Sequence, residues 1–231
     1  MDIAPLIDQT ILDPAATVDD VADFCHQAKE FDFASVIVHP THLGLPLEIF
    51  SDHRTAVGSV IDFCFGSGTI RTKTSQSKEV VLLGVDEIDT VINIGLLKSK
   101  KYNVVEKEIR SIVDAAKGAW LEMDRGGSGP VIKVIIEAGL LSDDEKKDAC
   151  KIVVSAGADY VKTSTSFLGS GASTYDIELM RKAVGNDFGV KASGGIRTLA
   201  DLVSMVEAGA DRIGTSSGIN IMRELDDEAR K

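Results

Sequence analysis

The chain has 231 residues, 44% of them hydrophobic and 26% charged, enough for one domain with a sizeable core. A net charge of −11 excludes the basic footprint that nucleic acid or an anionic membrane surface requires. No stretch approaches the ~18 apolar residues of a membrane span.

Three widely spaced cysteines, Cys25, Cys64 and Cys150, fit neither a disulfide framework nor a paired metal-ligand spacing. The opening Met-Asp-Ile-Ala-Pro lacks a basic start followed by an apolar run. A cytoplasmic location with reduced thiols is expected.

In chain order, short apolar runs predict strands near Ile7–Leu12, Ala34–Val38, Ser59–Phe63, Glu87–Ile92, Val131–Glu137, Asp159–Thr163, Gly189–Ala192 and Arg212–Gly214. Helical patterns lie between them, among them Val18–Lys29, Asn103–Ala116, Ser142–Ser155, Tyr175–Ala183 and Leu199–Ala208. Thr17 ahead of Val18-Asp19-Asp20, and the capping-box pattern from Ser142 to Glu145, mark helix starts. Ala156-Gly157-Ala158 and Ala208-Gly209-Ala210 mark helix ends just before new strands. Strand and helix alternating every ~25–30 residues imply right-handed βαβ units and a parallel sheet. Eight such strands would close a (β/α)₈ TIM barrel, one domain over residues 1–231, with a doubly wound open sheet as the structural alternative. Asp124–Pro130 reads as a loop too short to separate domains.

Three of these strands carry a lysine in apolar surroundings: Lys133, Lys162 and Lys191. Period-two alternation turns each into the barrel, because Ile132, Val134, Val161 and Val190 take the opposite face. A single such lysine is readily a strand-end or ion-paired residue. Three together suggest covalent chemistry, since burying an ammonium costs several kcal/mol unless it is paired. Desolvation and a second nearby ammonium lower an amine from ~10.4 toward ~7–8, where it attacks a carbonyl. The residues alone leave open which lysine is nucleophile and which is activator.

In Asp86–Asn93 the same alternation points Glu87, Asp89, Val91 and Asn93 inward. Asp89, near the C-terminal end of its strand, is the candidate for proton transfer or for counter-ion to a lysine. Asp8 is a further candidate of the same kind. Lys191-Ala192-Ser193-Gly194-Gly195 and Gly214-Thr215-Ser216-Ser217-Gly218 leave strands seven and eight through loops suited to an anion. His39 and His42, three apart around Pro40, lack a third ligand, and no dinucleotide or Walker loop is present.

Read together, these segments resemble the deoxyribose-phosphate aldolases. The matching pieces run in family order over nearly the whole chain. The most specific are Val161-Lys162-Thr163-Ser164-Thr165 and Lys191-Ala192-Ser193-Gly194-Gly195-Ile196-Arg197-Thr198. The resemblance implies a class I aldolase in which Lys162 forms the Schiff base, Lys191 depresses its pKa and Asp89 relays protons with help from Asp8. It further implies substrate and phosphate binding by Thr165, Ser166, Gly194, Gly195, Ser216 and Ser217, with no metal and no organic cofactor. The substrates implied are acetaldehyde and glyceraldehyde 3-phosphate, joined to deoxyribose 5-phosphate or released from it. The implied assembly is a homo-oligomer, dimer or tetramer.

Some positions depart from the family pattern. Ser166 stands where the family usually has glycine, Cys64 follows Phe63 where proline is common, and His39 replaces asparagine or tyrosine. The terminal tyrosine of some members is absent from Glu224–Lys231. Alternatives are a lysine aldolase with another or unphosphorylated acceptor, a silent sugar-phosphate-binding barrel, and a metal-dependent aldolase using His39 and His42.

Overall fold

A computed structural model describes residues 2–230. Eight parallel strands close in sequence order into a barrel. They are β1 (Ile7–Ile11), β2 (Ser35–Val38), β3 (Ala56–Ile61), β4 (Glu87–Val91), β5 (Val131–Ile135), β6 (Tyr160–Lys162), β7 (Gly189–Ser193) and β8 (Arg212–Thr215). The helices between and after them are α1 (Val18–Ala28), α2 (Gly44–Ile49), α3 (Ile70–Leu83), α4 (Ile94–Lys98), α5 (Tyr102–Glu122), α6 (Asp143–Ser155), α7 (Thr174–Val184), α8 (Leu199–Glu207) and α9 (Gly218–Ala229). Among the described residues no helix is long and apolar enough to cross a membrane.

Alternation divides each strand between two environments. Ile88, Ile132, Val134, Val161, Val190 and Ile213 face outward into the main core beneath the helices. Inward positions carry a small apolar cluster of Leu12, Ile37 and Val60, with Phe63 against it. Other inward positions hold the buried charges Asp8, Glu87, Asp89, Lys133, Lys162 and Lys191. A barrel interior is normally packed with branched apolar residues. Here one side of it is ionic.

The caps follow the sequence signals. Thr17 and Ser142 each complete a capping box, with Asp20 and Glu145 respectively. Gly157 and Gly209 follow α6 and α8 with φ of 82° and 111°, the left-handed conformation that ends a helix and that glycine adopts without strain.

The expected boundaries shift most at the third strand and at α5, and by one or two residues at several other ends. The third strand begins at Ala56 rather than Ser59 and ends at Ile61. The α5 helix runs to Glu122, beyond the expected Ala116.

Candidate active site

The lysine strands are locked side by side. Lys162 on β6 is the register partner of Lys191 on β7, and Lys133 on β5 is the partner of Asp89 on β4. Hydroxyls tie the ends of β6 and β7 together. Thr163 Oγ1 donates to Ser193 O at 3.1 Å, and Ser193 Oγ donates to Ser164 O at 2.5 Å. The Thr-Ser that follows Lys162 therefore holds the relative height of the two lysines.

Asp89 is the hub. Its Oδ2 accepts from Lys162 Nζ at 2.7 Å and from Lys191 Nζ at 2.7 Å, while Oδ1 accepts from Lys133 Nζ at 3.1 Å. Asp8 forms a second hub. Its Oδ2 lies 2.5 Å from Lys191 Nζ and 3.4 Å from Lys133 Nζ. Asp8 Oδ1 accepts from Arg212 at 2.6 Å and from Ser35 Oγ at 2.7 Å. Gly214 on β8 makes room for this arrangement, because a Cβ there would stand 3.0 Å from Lys191 Cε.

The electrostatics separate the lysines. Burial pushes the Lys162 amine down from 10.5 to about 8; Asp89 opposes the shift, and Lys191 and Lys133 add to it. Burial also disfavours the Lys133 ammonium, but Asp8, Asp89 and Glu87 outweigh it and raise that group above its ordinary value. Burial alone would raise the Asp89 carboxyl; Lys133, Lys162 and Lys191 instead hold it well below the usual range. Asp8 is held low against the same opposition by Lys133, Lys191 and Arg212. The resemblance credits Lys191 with depressing Lys162, yet burial is the larger cause and Lys191 adds to it.

A cavity of about 520 Å³ opens at the C-terminal ends of the strands. Of the three strand lysines only Lys162 lines it. Thr165, Ser166, Gly194, Gly195 and Ser216 form part of its wall, together with Thr10, Leu12, Asp13, Phe167 and Arg197. Ser217 lies off this wall, directly before α9, with its N–H donated to Thr215 Oγ1 at 2.9 Å. Gly194 and Gly195 have φ of 94° and 81°. A Cβ on Gly194 would stand 2.8 Å from the Gly171 backbone, so glycine is required there by both conformation and space.

The donors of Thr165 are already engaged. Its N–H and hydroxyl both donate to Glu137 Oε2, at 3.1 and 2.5 Å. Glu137 is fully buried and itself left-handed, at φ 51°. Ser166 also has a positive φ, of 74°. Phe63, at the Cys64 departure, packs edge-on against Phe167 with ring centroids 5.4 Å apart and against His39 at 5.9 Å. His39 Nε2 lies 3.0 Å from Leu12 O. Among the described residues no three His, Cys, Asp or Glu side chains are grouped to hold a metal.

A family model described as DeoC/LacD family aldolase matches residues 3–224. This chain belongs to that family. It is 48% identical over 222 residues to a deoxyribose-phosphate aldolase of Lysinibacillus sphaericus, covering 96% of this chain and 95% of the relative. Identity is 46% over 224 residues to the deoxyribose-phosphate aldolase of Caldanaerobacter subterraneus, with 97% and 94% covered. Among solved structures, the tetrameric deoxyribose phosphate aldolase of Aeropyrum pernix superposes with a TM-score of 0.87 at 32% identity, covering 97% of this chain and 91% of that one. An aldolase designated QR15 superposes with a TM-score of 0.91 at 35% identity, covering 100% and 98%.

Several residues in and around this aldolase's site have no role assignable from sequence. Alternation turns Glu87 inward without giving it a part, and Arg212 heads β8, two residues before the inward Gly214. Arg197 sits within the motif that carries the resemblance. Glu137 closes the strand expected over Val131–Glu137, but β5 ends at Ile135 and the left-handed Glu137 leaves the alternation that would have given it a part.

Proposed function

We propose that this family aldolase cleaves and forms 2-deoxy-D-ribose 5-phosphate through a Schiff base on Lys162. The observation that carries the reading is that Lys162 alone among the buried strand lysines reaches the cavity, with its amine lowered to about 8. An amine in that range is partly unprotonated at neutral pH and can attack an aldehyde carbon.

In the cleavage direction, Lys162 Nζ adds to C1 of the open-chain sugar phosphate, and loss of water gives an iminium. Release of the C3 hydroxyl proton then breaks the C2–C3 bond. Its electron pair flows into the iminium to leave an enamine on the lysine, and glyceraldehyde 3-phosphate departs. Protonation at C2 and hydrolysis free acetaldehyde and the amine. Asp89, held ionised against Lys162 and Lys191, accepts and returns protons as nitrogen and oxygen exchange them, and Asp8 keeps Lys191 in place beside it.

The cavity wall at Ser166, Gly194, Gly195 and Ser216 is the proposed phosphate end. The glycine-rich backbone leaving β7 brings N–H groups close to an anion there, and Arg197 lines the same wall. A homo-oligomer in the cytoplasm completes the reading, supported by the tetrameric Aeropyrum relative and by bacterial relatives along the whole chain. Borohydride reduction in the presence of acetaldehyde, followed by peptide mass mapping, tests the assignment. A two-carbon adduct on Lys162 is expected; an adduct on Lys133 instead, or none, overturns it.

A further inference from the structure

Below the oxygen shared by Lys162 and Lys191 lies a second charged layer that no step of the aldol chemistry touches. Lys133 Nζ donates to Glu87 as well as to Asp89. Arg212 reaches from β8 to Asp8 at 2.6 Å and to Glu87 Oε1 at 3.4 Å. Lys133 is fully buried, Glu87 is nearly so, and the Arg212 side chain is mostly covered. The two layers form one ionic set through Asp8 and Asp89.

Counting that set gives an uneven result. Three carboxylates, Asp8, Glu87 and Asp89, face four basic groups, Lys133, Lys162, Lys191 and Arg212. With every group ionised, one positive charge is left over in a largely buried region, where charge imbalance is expensive. The fully ionised upper layer, Asp8 and Asp89 with Lys162 and Lys191, is balanced. The excess therefore resides below, in Glu87, Lys133 and Arg212. The group that removes it most easily by losing a proton is the one at the cavity wall, Lys162.

We propose that Lys133 is a positioning residue that acts electrostatically: with Arg212 it over-compensates Glu87, and this imbalance drives Lys162 to its neutral, nucleophilic form. The proposal rests on the Schiff-base reading above. The ionisable groups around Lys133 in the barrel interior are Asp8 on β1, Glu87 and Asp89 on β4, Lys162 on β6, Lys191 on β7 and Arg212 on β8, with the Tyr160 ring of β6 under Arg212, while Ser35 on β2 and Gly58 on β3 do not ionise. Lys133 and Lys191 both act on Lys162 in the stated direction.

The lower layer predicts opposite consequences for its two signs of charge. Lys133→Met removes a positive charge and also frees Asp89 to hold the Lys162 proton more tightly. Glu87→Gln removes a negative charge and does the reverse. The measurement is the pH dependence, from pH 6 to 10, of borohydride-trapped acetaldehyde on Lys162, quantified by peptide mass spectrometry.

Lys133→Met should move the midpoint to higher pH by about one unit or more, with a roughly tenfold loss of trapping at pH 7 that recovers at alkaline pH. Glu87→Gln should move it to lower pH, and the double variant should return toward the parent midpoint. Midpoints that stay fixed while yields fall at every pH would make both residues merely structural and overturn the proposal, as would shifts of both variants in the same direction. If Lys133→Met does not fold, Glu87→Gln decides alone: an acid shift supports the proposal and an unmoved midpoint rejects it. Absence of label on Lys162 in the parent protein at every pH would instead refute the Schiff-base reading, and the inference with it.

Discussion

Lys162 and Lys191 occupy partnered positions on adjacent parallel strands, and both donate to one oxygen, Asp89 Oδ2, at 2.7 Å. Of the two ammonium groups that meet on this oxygen, Lys191 also has Asp8 Oδ2 at 2.5 Å, whereas Lys162 pairs with Asp89 alone and shares it with Lys133. The pair is therefore biased toward one proton fewer on Lys162, the lysine that lines the cavity. Lys191→Leu removes the like charge but leaves the burial that is the larger cause of the shift. Trapping of acetaldehyde at pH 7 should fall about 10- to 100-fold and recover in part above pH 9. A variant equally slow at pH 7 and 9.5 would show that Lys191 acts otherwise than through the charge of its neighbour.

The depressed Lys162 amine also sets a stability cost with a defined pH window. Its folded value, about 8, lies below its unfolded value near 10.5, so the unfolded chain binds more protons between these limits. Stability from this group therefore rises with pH through that interval, and the full penalty applies below about pH 8. Lys162→Met should abolish activity and raise unfolding stability at pH 7 by about 1–3 kcal/mol. The gain should shrink as the pH approaches 10. Chemical denaturation of both proteins at pH 7 and 9.5 measures it, and a Lys162→Met protein less stable than its parent at pH 7 would contradict the linkage.

The barrel and the inward lysines are legible in the sequence because period-two alternation is strict wherever one strand face meets helices. Ile132, Val134, Val161 and Val190 alone settle the direction of Lys133, Lys162 and Lys191. The start of β3 is hidden because Gly58, just before the expected start at Ser59, resembles turn material. Gly58 in fact sits where a Cβ would collide with the Ile37 side chain, so it marks interior crowding rather than a turn. Lys73 and Ser77 on α3 mislead in the same way. They face the protein interior, with Lys73 Nζ satisfied by Gly66 O at 2.9 Å and Glu108 at 2.5 Å. Their polarity breaks the apolar period that would have announced the helix. Pairings such as Lys191 with Asp8, and Glu137 with Thr165, depend on barrel closure and loop conformation, which periodicity does not encode.

Glu137 holds the turn that carries the proposed phosphate wall. Thr165 uses both its donors on this carboxylate, and its hydroxyl oxygen accepts from Phe167 N–H at 3.1 Å. Thr165→Val removes the hydroxyl from both contacts and leaves a buried carboxylate less satisfied. The expected loss is about 1.5–3 kcal/mol of stability, with a raised KM for the sugar phosphate as the Ser166–Phe167 turn loosens. Thr165→Ser keeps the oxygen and should restore most of both. Thermal melts and steady-state cleavage kinetics check this, and a Thr165→Val enzyme with unchanged KM would show that the turn holds its shape without Glu137.

Ser166 is the departure nearest the proposed anion end, and its geometry gives it a definite consequence. Its φ of 74° is a region that side chains other than glycine enter at some cost. Its hydroxyl lies 3.0 Å from where a Cβ on Gly194 would stand, over the loop leaving β7. The side chain thus adds bulk where backbone N–H groups would approach a phosphate oxygen, although the hydroxyl can itself donate. Steric interference is expected to prevail. Ser166→Gly should raise kcat/KM for glyceraldehyde 3-phosphate about fivefold, or ~1 kcal/mol of transition-state binding, and leave unphosphorylated glyceraldehyde almost unchanged. The same change should not destabilise the fold, because glycine adopts positive φ without strain and offsets its greater unfolded-state freedom. Steady-state kinetics of both proteins on the two aldehydes decide the matter. If the glycine variant lost its preference for the phosphorylated acceptor, the Ser166 hydroxyl would be a phosphate donor, and the substitution at this position would sharpen phosphate recognition rather than weaken it.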